Sequence, residues 1–264
     1  MIIEKKLLMD TSNKLILLSG DASFRKFYRK KKALLIFCKK DKKKNLLIYD
    51  AINKVLIKNK LKAPKLISQS YNKNFIEIED FGNEIIYYKL KKEKNSKLQF
   101  YKKIILLLCK LQKIKTKKIK TFINSNYTIP IYSRQKLFIE SNLFIKWYIH
   151  KTIQKKKQRK IKYKLKIIIN NLLNKIKNKN NIFVHRDFHV SNLIAHNKKI
   201  ALIDNQDAVY GNSAYDLASL IDDVRLKTSK SLKEKIFKYY LEKNKSINIK
   251  YFKNDFDILS VLRN

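Results

Sequence analysis

Between residues 182 and 207, polar groups sit directly against apolar runs. Ile182-Phe183-Val184 leads into His185-Arg186-Asp187-Phe188-His189-Val190-Ser191-Asn192, and Ile200-Ala201-Leu202-Ile203 leads into Asp204-Asn205-Gln206-Asp207. Carboxylates held against apolar strands are costly unless a reaction uses them. Phosphoryl transfer would. It needs an acid side chain to accept the proton of the attacking hydroxyl, and hard oxygen ligands to hold Mg²⁺ on nucleotide phosphates. The pattern H-R-D-x-x-x-x-N, followed by an Asp at the end of a strand, meets both needs. Asp187 then reads as base and orienter, with Asn192 and Asp204 as the Mg²⁺ ligands. Each alone says little, because an isolated Asp beside a strand is usually a turn or cap residue and HxD triplets arise by chance. The ordered set with its gaps carries the reading. His185 reads as a loop-shaping hydrogen-bonding residue, with catalytic acid as the alternative. His189 and His196 form no zinc pattern with it.

The elements that must position these residues follow from periodicity. Leu15 to Leu18, Phe24 to Arg29 and Ala33 to Cys38 read as strands around a Ser19-to-Ser23 turn, a small antiparallel sheet. Asn45 to Leu61 spaces Leu47, Ala51, Val55 and Ile57 as a helix does, and Ala63-Pro64 stops it. Leu66-Ile67 and Phe75 to Ile78 predict two more strands, and Asp80-Phe81-Gly82-Asn83 breaks the sheet. From Ile85 the period becomes helical, with helices over 97–113, 137–153, 163–176, 213–224 and 231–241. The basic stretch Lys151 to Lys164 reads as a solvated helix face.

The composition excludes several classes. With 45% hydrophobic and 11% aromatic residues in 264, the chain can bury a core, and 3 Gly with 2 Pro argue against collagen-like or many-turned β folds. The formal charge of +41 suggests a polyanion partner, but only seven of the 62 basic residues are Arg, the residue preferred for bidentate phosphate and base contacts. The lysines are also spread along the whole chain. Drift toward Lys, Asn and Ile explains them better than a specific nucleic-acid partner, and none is expected. Cys38 and Cys109 stand among apolar residues and read as a reduced, buried pair rather than a disulfide or metal site. Met1 to Asp10 carries acids and a short apolar stretch, unlike a signal peptide, and no apolar run reaches the ~20 residues of a membrane span. A cytoplasmic monomer without a membrane partner is the expectation.

The segment from His185 to Asn192, with Leu202-Ile203-Asp204-Asn205-Gln206-Asp207-Ala208, Tyr210-Gly211 and Ala214-Tyr215-Asp216-Leu217-Ala218, resembles the aminoglycoside phosphotransferase and choline kinase superfamily. Its Gln-Asp-Ala and Ala-Tyr-Asp-Leu elements are most similar to bacterial amino-sugar kinases that phosphorylate N-acetylmuramate and N-acetylglucosamine at the anomeric position. The resemblance implies an α+β, protein-kinase-like two-lobed fold: a small antiparallel β-sheet N-lobe over 1–83 and a mainly helical C-lobe over 84–264, with the catalytic loop at 182–210. It implies ATP and Mg²⁺ as cofactors and a small-molecule sugar as acceptor. Gly20 to Arg29 looks like the hairpin that covers the nucleotide, placing Ser23 and Arg25 near phosphates, although an ordinary β-turn with exposed bases gives the same residues. Glu79 and Phe81 look like the hinge that pairs with adenine. Glu140, Trp147 and Tyr148 look like a substrate-side helix, the two aromatics reading equally as helix core. Asp207 falls in the Gln-Asp-Ala element and would face the substrate, and Asp216 would brace the catalytic loop.

Departures accompany the likeness. Asn205 stands where an aromatic is usual and is expected to loosen the packing behind Asp204. Lys39 ends the third strand, about where kinases carry a phosphate-gripping lysine, but no Glu between 45 and 61 can pair with it and Asp50 is a poor substitute. Phe252 to Ile258 resembles the point where relatives enter a further helical stretch, so a shortened C-lobe and lower stability or activity than longer relatives are expected. Aminoglycoside kinase remains the second enzyme reading, although a chain at +41 suits polycationic acceptors poorly. A protein kinase fits less well, because no activation segment follows Asp204. A degenerate pseudokinase or basic nucleic-acid-binding protein is the non-enzyme alternative.

Overall fold

The computed structural model describes residues 15–18, 24–93 and 95–263. In chain order the strands and helices are β1 (Ile16–Leu18), β2 (Arg25–Lys30), β3 (Ala33–Cys38), α1 (Lys44–Lys58), β4 (Leu66–Ser70), β5 (Phe75–Glu79), α2 (Ile86–Lys92), α3 (Lys97–Leu111), β6 (Lys118–Lys120), β7 (Asn126–Thr128), α4 (Arg134–Phe144), α5 (Lys155–Asn174), β8 (Ile182–Val184), β9 (Leu193–His196), β10 (Lys199–Leu202), β11 (Val209–Gly211), α6 (Tyr215–Ile221), α7 (Lys230–Lys243) and α8 (Ile249–Arg263). They gather into two compact units: Met1–Lys92 with Thr116–Thr128 and Val190–Asp207, and Glu93–Lys115 with Ile129–His189 and Ala208–Asn264. The chain leaves the first unit after Lys92 and returns to it twice.

In the first unit five strands run antiparallel in the order β1-β2-β3-β5-β4. Alternation builds it: along β5, Ile76 and Ile78 are buried while Phe75, Glu77 and Glu79 are half-buried. Ile36, Cys38, Leu46, Tyr49, Ile76 and Ile78 form the core between this sheet and α1. A separate hairpin, β9–β10, turns on Asn197 and Lys198, both at positive φ as a two-residue hairpin turn requires. A second small cluster, Phe81, Ile194 and Ala201 with Ile85 and Ile203, packs this hairpin on the segment after β5. The β6–β7 hairpin completes the unit.

The second unit is mainly helical. Tyr101, Ile104, Ile105, Leu108 and Leu111 form the buried stripe of α3, and Ile236 and Tyr240 that of α7. The Tyr240 ring stacks on Phe252 of α8 at 5.2 Å. β8 pairs with β11, and a Cβ added at Gly211 would meet Val184 Cγ2 at 3.2 Å, so the close approach depends on that glycine.

Asp255 of α8, fully buried, accepts from the backbone N–H groups of Lys177 (2.8 Å) and Asn178 (2.8 Å) and from the side-chain amides of Asn178 (2.7 Å), Asn212 (2.8 Å) and Asn254 (3.0 Å). A buried carboxylate with this many donors is satisfied, and it ties α8 to the loop after α5 and to the approach to α6. No helix among the described residues is long and apolar enough to cross a membrane.

Candidate active site

Asp204 and Asn192 are positioned by the β9–β10 hairpin of the first unit. Leu193 pairs with Leu202, and Ile203 N donates to Asn192 O at 3.1 Å, so the residue before β9 lies beside the residue that precedes Asp204. Leu202 N donates to Lys62 O at 2.8 Å, which fixes the hairpin to the segment after α1. Asp204 itself adopts φ 59, a left-handed torsion uncommon outside glycine that aspartate and asparagine enter more readily than other residues. Its Oδ1 receives Arg25 Nη2 from β2 at 3.1 Å and Gln206 Nε2 at 3.0 Å, and Gln206 Nε2 also reaches Asp207 Oδ2 at 2.8 Å. The Arg25 side chain is 8% exposed and that of Asp204 38%, so a buried cation meets a carboxylate that still opens to solvent.

Asn205 does not loosen this region. It is fully buried, and its Nδ2 donates to Asn53 Oδ1 of α1 at 2.9 Å and to Leu202 O at 3.0 Å. The amide fills a buried polar pair that an aromatic could not make, and so anchors the turn after Asp204 on α1.

The nucleotide-side expectations fall as follows. Ser23, with the Gly20-to-Ser23 turn, lies outside the described residues. Lys39 is exposed at the start of a short 3₁₀ turn, and Asp50 pairs with Lys54 one helical turn on, at 2.7 Å. Burial pushes the Asp50 carboxyl up, against the hydrogen bond from Lys54. Glu79 takes Lys62 Nζ at 2.8 Å while its N–H donates to Lys65 O at 2.9 Å, and Asp80 N donates to Lys32 O at 3.2 Å, so the N–H groups of Glu79 and Asp80 are committed within the unit. Arg29 of β2 clasps the Asp80 carboxylate with Nε at 2.5 Å and Nη2 at 2.9 Å and reaches Asn83 Oδ1 at 2.5 Å. Phe81 is buried, with its ring 4.8 Å from that of His196. Gly82 follows at φ 79, which suits a residue without Cβ.

Asp187 is positioned in the second unit. β8 delivers the chain to His185 and Arg186, whose backbone N–H groups donate to the fully buried Asp216 of α6 at 2.7 and 3.0 Å. That clamp holds Arg186 at φ 76, a strained torsion of the kind that persists only where surroundings fix it. Burial pushes the Asp216 carboxyl up to about 6, against the His185 charge and the two backbone hydrogen bonds. The bracing role expected of Asp216 is thus the one its contacts perform. His185 is 1% exposed with its ring edge-on to Phe188, which suits shaping the loop. Burial and then the Arg225 charge hold His189 down to about 4, so its imidazole is neutral near pH 7.

Around Asp187 the unit assembles groups from distant stretches. Glu140 of α4 receives Arg186 Nη2 at 2.5 Å and the Tyr132 hydroxyl, and the Tyr132 and Tyr215 hydroxyls lie 3.3 Å apart. The Arg186 guanidinium stands 4.9 Å from the centre of the Tyr132 ring. Burial raises the Tyr132 and Tyr215 phenols, so both are neutral hydroxyls near pH 7. Arg263 of α8 approaches Asp187 Oδ1 at 3.6 Å. Tyr132 and Arg263 carry no local motif and were not among the residues expected here. Trp147 and Tyr148 are 58% and 55% exposed on a π-helical turn, so the core role considered for them is incorrect. Tyr148 stacks on Phe144 at 5.1 Å.

The donor set of the hairpin suits a hard cation. Asp204 offers carboxylate oxygen and Asn192 amide oxygen, while no three His, Cys, Asp or Glu side chains gather as a metal cluster among the described residues. Few protein ligands, supplemented by phosphate oxygens and water, are the usual coordination of Mg²⁺.

Comparison with known proteins gives consistent relatives. The model described as "Phosphotransferase enzyme family" matches residues 14–247. An N-acetylmuramate/N-acetylglucosamine kinase of Neisseria meningitidis is 23% identical over 214 residues, which cover 78% of this chain and 60% of that protein. Its namesake in Pseudomonas putida is 25% identical over 208 residues, covering 78% and 58%. This chain therefore spans about 60% of the length of the curated relatives it matches. Among solved structures, an ADP-bound aminoglycoside phosphotransferase superposes with a TM-score of 0.67 at 19% identity, over 100% of this chain and 92% of that one. A gentamicin complex of an aminoglycoside phosphotransferase gives 0.70 at 18%, over 97% and 84%, and a Plasmodium vivax ethanolamine kinase 0.66 at 16%, over 98% and 76%. These likenesses establish the kinase-like fold, with its antiparallel N-terminal sheet and mostly helical remainder.

Proposed function

We infer function from one premise: the chain belongs to the phosphotransferase enzyme family. It is a small-molecule kinase that transfers the γ-phosphoryl group of ATP to a hydroxyl of a cell-wall amino sugar, N-acetylmuramate or N-acetylglucosamine, and works as a cytoplasmic monomer. The observation that supports this reading is the mounting of Asp187. The loop is clamped through two N–H bonds to buried Asp216, yet the Asp187 side chain stays 43% exposed. A fixed, open carboxylate is what a hydroxyl acceptor requires.

Asp187 orients the acceptor hydroxyl and takes its proton as the new P–O bond forms. Glu140, held by Arg186 and Tyr132, is an oriented acceptor for sugar hydroxyls. Asn192 and Asp204 would hold Mg²⁺, which when bound neutralises charge on the phosphates. Arg25 lies buried against Asp204 and supplies the fixed positive charge for phosphate oxygens, in place of the exposed Lys39. Ser23 would lend its backbone to the phosphates, the hinge from Glu79 to Phe81 would border the adenine, and Asp207 would face the acceptor.

The names of the two curated relatives and the nucleotide in the aminoglycoside phosphotransferase structures agree with this reading. Incubation with ATP, Mg²⁺ and a panel of acetylated amino sugars, gentamicin and choline tests it, with the product located by NMR. Phosphorylation of the anomeric hydroxyl of an acetylated amino sugar is expected. Turnover with gentamicin or choline instead would replace the acceptor, and no turnover with any would overturn the kinase reading.

A further inference from the structure

Arg263 closes α8 beside Asp187, outside the stretch matched by the family model. Its side chain is 15% exposed, so the guanidinium is largely removed from water. At 3.6 Å its Nη2 is near the Asp187 carboxylate but beyond hydrogen-bond length, and its Nε has no hydrogen-bond partner among the described residues. The guanidinium stands 5.5 Å from the centre of the Tyr215 ring, which fixes its position without using its donors. A desolvated guanidinium with unfilled donors is unfavourable by itself, and it fits a planar oxyanion that two parallel N–H groups can hold. The other arginine of this cluster is already committed, since Arg186 is bound to Glu140. Asp187 offsets the charge of Arg263 while its own carboxylate remains open to solvent.

We propose that Arg263 determines acceptor specificity by binding a carboxylate carried by the sugar, so that the preferred acceptor is an acidic amino sugar rather than its neutral counterpart. The reacting hydroxyl then meets Asp187 while the carboxylate of the same molecule meets the neighbouring guanidinium. The substrate is thereby fixed at two points on one unit. This rests on the reading of Asp187 as the acceptor-side base.

Two measurements on the full chain, made with N-acetylmuramate (acidic) and N-acetylglucosamine (neutral), test the proposal. Calorimetric binding reads the preference without turnover, and steady-state kinetics reads KM against kcat. Wild type is expected to bind the acidic sugar at least tenfold more tightly. Arg263→Ala should collapse that ratio to within about threefold by raising KM for the acidic sugar, and Arg263→Lys, which keeps the charge and loses the fork, should fall between. Melting of both variants by circular dichroism checks the fold, with Arg263→Lys as the variant that preserves most of the packing. Equal losses for both sugars would assign Arg263 to positioning or packing and overturn the proposal, as would a wild type without preference for the acid. An Arg263-dependent preference in binding without phosphorylation would overturn the kinase reading and leave the specificity assignment standing.

Discussion

The two units hold their candidate reactive residues in different ways. In the first, Asn192 and Asp204 flank the two strands of one hairpin, so a short consecutive stretch specifies their neighbourhood, and a hydrogen bond from Ile203 to Asn192 completes it. In the second, the residues leading to Asp187 are held by Asp216 and Glu140, Glu140 by Tyr132, Tyr132 by Tyr215, and Asp187 itself is approached by Arg263, a set drawn from three helices and a loop far apart in the chain. The pair proposed to hold a metal can be written as a short motif because a hairpin brings its ends together. An acceptor surface is written only in tertiary packing.

The comparison breaks or sharpens on substitutions in each unit. The largest effects are expected at the reactive acids: Asp187→Ala and Asp204→Ala should each lower kcat by about 10³-fold or more. They should part in nucleotide binding. Calorimetry with ATP and Mg²⁺ should show Asp187→Ala within about threefold of wild type and Asp204→Ala weakened by an order of magnitude or more. Equal weakening by both would deny the division of labour. Next comes Asp255→Ala, which strands several buried donors of the second unit. Urea unfolding should show a loss of about 3–5 kcal/mol, and a loss under 1 kcal/mol would mean that the hub adds little.

A pH effect of similar size belongs to Asp216. Below about pH 4 the carboxyl is protonated in folded and unfolded chains alike. From there to about pH 6 the folded chain keeps a proton that the unfolded chain has released, so stability falls as pH rises, by up to about 3 kcal/mol. Asp216→Asn should flatten the slope of unfolding free energy across that window. An unchanged slope would place the titration elsewhere. The smallest effect is expected in the first unit at Asn205→Ala, which leaves Asn53 Oδ1 without that donor. A loss of about 1–2 kcal/mol in thermal or urea unfolding is expected, because the pair is neutral. A stabilised variant would revive the expectation that this amide loosens the turn.

Much of the fold was legible because it is periodic. The strands at Arg25–Lys30, Ala33–Cys38 and Phe75–Glu79 and the helices at Lys44–Lys58 and Lys97–Leu111 all lie within a few residues of where apolar spacing puts them. The helix at Lys155–Asn174 joins the solvated basic face expected over 151–164 to the helix expected from Tyr163, a continuity that lysines without an apolar signal do not reveal. The β6–β7 hairpin was missed, since three-residue strands such as Lys118–Lys120 carry no alternation to read. At the site, the spacing of Asp187, Asn192 and Asp204 was legible, and so was the bracing by Asp216. The commitment of the Glu79 N–H to Lys65, the burial of Arg25 against Asp204 and the arrival of Arg263 were not, because each is a meeting of residues that share no local pattern.

Arg186 and Asp204 share a left-handed backbone, one in each unit. For arginine this torsion costs about 1–2 kcal/mol, and for aspartate less, so each turn resembles a bent spring, the one at Arg186 the tighter, whose catch is a set of hydrogen bonds. The catch is Asp216 at one turn, and at the other the Asn205 amide with the backbone bond into Asn192. Glycine at 186 would relax the spring, but it would also loosen the loop that aims Asp187 and remove the ion pair with Glu140. Glycine at 204 would delete the carboxylate itself, together with its contacts to Arg25 and Gln206, so at that turn the strained residue and the reactive group are one and the strain cannot be released without losing the acid.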